Sequence, residues 1–156
     1  MIPVLQALVL AEKVYEDKTG KKIIAGTFTG FEVKKAAMRI HANPAAESQV
    51  DEFGKFNRFD FDEVGGSPYA YISLTDVVDN TKIDLQFVSL ALNQVLFGAQ
   101  ITIQCKDRLA TVEAVVPLPP LSPFVDSEKG GVYLIQVVCK SEILGSYRLN
   151  VKVNPD

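Results

Sequence analysis

A chain of 156 residues with 47% apolar and 22% charged side chains has the composition of one ordinary globular domain. It is long enough to bury a proper core, and its glycine (10) and proline (8) contents exclude a collagenous or disordered chain. A net charge of −3 disfavours nucleic-acid binding by bulk electrostatics, because phosphate contacts need concentrated positive charge. The two cysteines are too few for a disulfide framework, and the lone His41 has no cysteine neighbour with which to seed a zinc site.

The first segment, MIPVLQALVLAEK, holds a short apolar run. It lacks the basic flank of a signal peptide and is far shorter than the ~20 apolar residues that span a bilayer. It reads as a buried strand of a cytoplasmic protein that does not enter a membrane. PVLQALVLAEKVY is then the first strand, EDKTGKK a polar turn with Gly20 near its end, and IIAGTFTGFEVKK a second strand. Ile24, Phe28 and Val33 are expected to face the core. Gly26 and Gly30 lie inside this run, where glycine marks a bulge or a close backbone approach.

Residues 41–67, HANPAAESQVDEFGKFNRFDFDEVGGS, break the pattern. Phe53, Phe56, Phe59 and Phe61 are interleaved there with Lys55 and Arg58. Aromatics beside cations can stack nucleobases or anchor a protein partner. Alternatively, Phe59 and Phe61 fill the core while Arg58, Asp60 and Asp62 face water. The acids Asp51, Glu52, Asp60, Asp62 and Glu63 argue against a phosphate backbone, so a protein partner or self-association is the functional reading of this surface. The same acids, joined by Asp76 and Asp79, could offer carboxylates to calcium, but no EF-hand spacing is present.

Short strand-like runs follow: YAYISLTD, KIDLQFVSL, VLFGAQITIQC and TVEAVVPL. Asp79-Asn80 and Asn93-Gln94 are the expected hairpin turns, since Asn and Asp tolerate left-handed backbone. Cys105 and Cys139 fall in apolar alternating runs and are expected to be reduced, buried core residues. The four prolines of PLPPLSPFVDSEKGG (117–131) lack amide donors, which makes this segment an extended crossing between two sheets. The last hairpin, GGVYLIQVVCKSEILGSYRLNVKV, is the most regular piece of the chain. Tyr133, Ile135, Val137 and Cys139 share one face of its first strand, whose other face is also largely apolar, as in a central strand. Tyr147, Leu149, Val151 and Val153 oppose Arg148, Asn150 and Lys152 in the second. No helical period persists with caps at both ends. About eight strands with closely spaced turns specify an all-β protein, an antiparallel β-sandwich with a closed barrel as the alternative.

Three segments carry a resemblance. ALVLAEKVYEDKTGKKIIAGTF, YAYISLTDVVDNTKIDLQF and LPPLSPFVDSEKGGVYLIQVVCKSEILGSYRLNV resemble the opening, middle hairpin and ending of an uncharacterised bacterial family of immunoglobulin-like β-sandwich proteins. The resemblance implies a single immunoglobulin-like domain over residues 1–156 and carries no activity or catalytic residue. Residues 41–67 depart from the family pattern and read as an insertion.

No nucleophile elbow surrounds a serine, neither DKTGKK nor SEKGG has P-loop spacing, and carboxylate pairs for glycosidic chemistry need a cleft that sequence does not show. The expectation is a non-enzymatic binding or assembly module without cofactor or metal. A carbohydrate- or calcium-dependent ligand binder is the alternative, and a small hydrolase the third reading.

Overall fold

The computed structural model describes residues 2–35, 38 and 67–155. Its strands are β1 (Val4–Glu16), β2 (Lys22–Thr27), β3 (Gly30–Lys34), β4 (Tyr69–Thr75), β5 (Thr81–Ser89), β6 (Gln94–Ile103), β7 (Val112–Pro117), β8 (Gly131–Cys139) and β9 (Glu142–Asn154). They form two sheets, ordered β2-β1-β4-β7 and β3-β9-β8-β5-β6. All described pairings are antiparallel except that of β3 with β9, which is parallel.

This order makes the sandwich immunoglobulin-like. β4 neighbours β7 in one layer, as strand B neighbours E, while β5, β8 and β9 adjoin in the other, as C, F and G do. β6 extends the second layer beyond β5, as an additional strand does in variable-type domains. Two open sheets with separate edges exclude the closed barrel.

Alternation drives the packing. On β4, Ala70, Ile72 and Leu74 are fully buried between the layers, and Ile83, Leu85 and Phe87 meet them from β5. The final hairpin follows its expected register: Tyr133, Ile135, Val137, Cys139, Leu149 and Val151 are all buried. Tyr147 is only half-buried and uses its hydroxyl to donate to the Phe28 carbonyl. β8 is central, between β5 and β9. The proline-rich segment does cross from one sheet to the other. Residues 118–125 are buried throughout, including a single 3₁₀ turn at Ser122–Phe124.

Three expectations are corrected. The run from Ile23 to Lys35 is not one strand: the chain pairs with β1 as β2, then leaves that sheet at Phe28-Thr29 to join β9 as β3. Of its expected core residues, Val33 is buried and Ile24 and Phe28 are half-buried. Asp79-Asn80 is not a hairpin turn, because β4 and β5 lie in different sheets. Asn80 does take the left-handed backbone (φ 64°), but to turn the chain between layers, whereas Asn93 (φ 50°) sits in a true hairpin. Cys105 lies past the end of β6, in a loop, half-buried rather than in the core.

The β7–β8 corner is locked by Tyr133. Its hydroxyl donates to Asp126 Oδ1 at 2.6 Å and accepts from the Asp126 amide at 3.3 Å, and its ring stacks on Phe87 with centroids 5.3 Å apart. A tyrosine at the start of strand F, bonded back to the preceding corner, is a hallmark of this fold. Burial, reinforced by the Asp126 carboxylate, pushes the Tyr133 hydroxyl up to about 12 from its ordinary 10.0.

Two outcomes are expected. Val137→Ala and Leu149→Ala each lower unfolding stability by about 1–4 kcal/mol in denaturant melts, as truncation of a closed core does. Because the folded Tyr133 holds its proton more tightly than the unfolded chain, its contribution is complete below pH 10 and is lost as pH climbs to about 12. Tyrosinate absorbance should show the last group ionising together with the loss of strand circular dichroism, and Tyr133→Phe should remove that last step.

Candidate functional site

The sequence-predicted surface, Phe53, Lys55, Phe56, Arg58, Phe59 and Phe61, lies outside the described residues. Asp51, Glu52, Asp60, Asp62 and Glu63 of the calcium reading lie outside them as well. The other two acids of that reading are engaged in holding loops. Asp79 Oδ1 accepts from the Asn80 amide at 3.1 Å and the Cys105 amide at 2.9 Å, and Asp76 meets Arg108 at 3.9 Å. Among the described residues no three His, Cys, Asp or Glu side chains gather as a metal site, and no helix is long and apolar enough to cross a membrane.

The surface that stands out is an edge. Sheet edges expose unpaired backbone donors and acceptors, and proteins guard them with charge, proline or short length. β2 carries Lys22 and is six residues long; β3 carries Glu32 and Lys34 and is five long; β7 carries Glu113 and ends in Pro117. β6, QVLFGAQITI, is ten residues long and has neither a charge nor a proline. Its one irregularity is a bulge at Leu96, near the hairpin end. From Phe97 to Ile103 it is regular. Phe97, Ala99, Ile101 and Ile103 pack toward the core, and Gly98, Gln100 and Thr102 face solvent. Gln100 donates to Asp84 Oδ1 on β5 at 3.0 Å.

Exposed apolar side chains mark both ends of this edge. At the β5–β6 hairpin Leu90, Leu92 and Val95 are 49%, 63% and 50% exposed. The hairpin is held in place by the Leu90 amide on the Val132 carbonyl (3.2 Å) and the Leu92 amide on Ser89 Oγ (3.4 Å). Beyond the other end, Leu109 is 88% exposed. It rides on a loop that Asp107 organises by accepting the Leu109 amide at 3.0 Å. The sequence contains all of this as an uncharged strand flanked by leucines, but nothing local says that the strand is an edge.

The outer face of the four-stranded sheet is the second feature. Tyr71 lies between Val9 and Val115, and Tyr69 between Ala11 and Pro117, in two adjacent rows on the side away from the core. The Tyr71 hydroxyl donates to Glu113 Oε2. Partial burial and that carboxylate raise its ionisation above the ordinary value. A groove of ≈ 460 Å³ opens beside Tyr69, lined by Glu12, Lys13, Phe31, Glu32 and Ser122 among others.

Both cysteines are free thiols. Cys105 Sγ donates to the Asp107 carbonyl at 3.1 Å, and burial pushes the Cys139 thiol up. Thiol titration of the folded protein should therefore detect Cys105 and not Cys139, with the second thiol appearing only in denaturant. Two equally masked thiols would contradict the loop position of Cys105.

No known family profile and no curated protein matches this sequence. The chain is similar to the crystal structure of an immunoglobulin-like protein from Pseudomonas aeruginosa, over 97% of this chain and 98% of that one, at 11% identity and a TM-score of 0.43.

Proposed function

We propose that this chain is a non-enzymatic binding and assembly module that recruits a protein partner along the β6 edge and the β5–β6 hairpin. The supporting observation is the coincidence of a ten-residue edge strand without charge or proline and exposed Leu90, Leu92 and Val95 at its start. Backbone pairing along an open edge supplies affinity, and flanking side chains supply selectivity. Membership of the bacterial immunoglobulin-like family belongs to this proposal. The resemblance of the first, middle and last segments supports it, as does a strand order of that type.

A second reading is a carbohydrate binder using the Tyr69 and Tyr71 rows. Aromatic faces stack on sugar C–H groups, and Glu113, bonded to the Tyr71 hydroxyl, offers an acceptor for sugar hydroxyls.

A photo-crosslinking residue placed at Leu92 in native cells tests the first reading, with Lys18 in the β1–β2 turn as the exposed control. A discrete protein adduct from position 92 and none from 18 is expected. No adduct at 92 sinks the edge as a binding surface. Tyr71→Ala removing binding on a glycan array would instead select the carbohydrate reading.

A further inference from the structure

β6 differs from the other described edges in being long and in bearing neither charge nor proline. Resting on the binding reading above, we propose that the partner it takes is a second copy of this chain, docked β6 to β6, antiparallel about a twofold axis near Gln100.

Charge is the first argument. The chain carries a net −3, so two copies repel weakly, and they meet at least cost along a strand that bears no charge. The β2, β3 and β7 edges would each bring Lys or Glu side chains to the junction. A charged peptide, conversely, would find no countercharge on β6.

Register is the second. Phe97 to Ile103 is the regular part of β6, beyond the bulge at Leu96, and Gln100 is its midpoint. Antiparallel pairing about that midpoint sets Phe97 opposite Ile103 and Ala99 opposite Ile101. Gly98 falls opposite Thr102, and Gln100 faces its own copy. Core-side residues thus oppose core-side residues and polar oppose polar, as in any strand paired with itself about one of its residues, and here the regular stretch is long enough for one sheet to continue into another.

The flanks are the third. Leu92 and Leu109 stand at opposite ends of the strand, each among the most exposed apolar side chains described. A twofold antiparallel arrangement brings the hairpin of one copy to the end of β6 from which the other copy's Leu109 loop departs. The same axis thus addresses two exposed leucines per copy. Pairing along one strand covers less than a standard interface, so the dimer is expected to be reversible and concentration dependent.

Gln100 provides the test. It is exposed, and Lys at this position keeps a partner for Asp84. Sedimentation velocity over a concentration series should show the wild type as a reversible dimer. In Gln100→Lys and Gln100→Glu, like charges meet at the axis, and the dimer dissociation constant should rise about fivefold in each. An equal mixture of the two should restore association, with a Gln100→Lys melting temperature close to wild type confirming that the fold is intact. A wild type that stays monomeric at its highest soluble concentration, or a dimer that neither variant weakens, would overturn the proposal. The crosslink from position 92 separates this failure from that of the broader reading. An adduct of twice the chain mass supports self-pairing. An adduct with a different protein overturns self-pairing and leaves the binding module standing, and no adduct overturns both.

Discussion

The backbone contact between β3 and β9 is the constraint on which the rest of the arrangement depends. At Gly30 a Cβ would stand 2.4 Å from the Asn150 carbonyl oxygen, a distance no side chain accepts. The Asn150 amide donates to the Thr29 carbonyl at 2.9 Å, and the Tyr147 hydroxyl reaches the Phe28 carbonyl from the same strand. These bonds take the chain out of one sheet and fasten it to the other within three residues. They also cap β9, which would otherwise be an open side of the larger sheet. Among the described residues the larger sheet then ends in the five-residue β3 on one flank and in the ten-residue β6 on the other.

Local chemistry made the final hairpin legible. Its alternation runs through both strands up to a bulge at Val137-Val138, the faces of the second strand differ clearly in polarity, and Tyr133, Ile135, Val137, Leu149 and Val151 are buried in the register that pattern requires. The proline-rich crossing was legible for the same kind of reason, since missing amide donors cannot serve a ladder. What escaped sequence reading was tertiary. Residues 22–34 form a continuous β-favouring run, and the change of sheet at Phe28-Thr29 depends on β9, over a hundred positions later. Asn80 has the turn backbone that its side chain favours, but whether a turn closes a hairpin or crosses between layers is decided by strand order. Cys105 continues an apolar run past the point where β6 stops, because the loop to β7 begins there.

The same distinction explains why the candidate surface was missed. The phenylalanine cluster at 53–61 drew attention by composition, and it lies outside the described residues. QVLFGAQITI reads equally well as a central strand buried on both sides. Edge status belongs to the assembled sheet and not to the ten residues. The absence of charge is informative only once a side of the strand is known to be open.

The parallel β3–β9 pair also sets a timetable for the chain's birth at the ribosome. Glu32 and Asn154, bonded to each other across that pair, are separated by 122 positions. Among the described strands, β3 therefore has no partner until β9, more than a hundred positions later, has been made. During that interval the unpaired early strand and the incomplete larger sheet are open together in the nascent chain, which is the period when contact between neighbouring nascent chains is most hazardous. Fastening β3 to β9 makes closure of the larger sheet wait for β9, and it couples the integrity of residues 30–34 to faithful synthesis of residues 150–154.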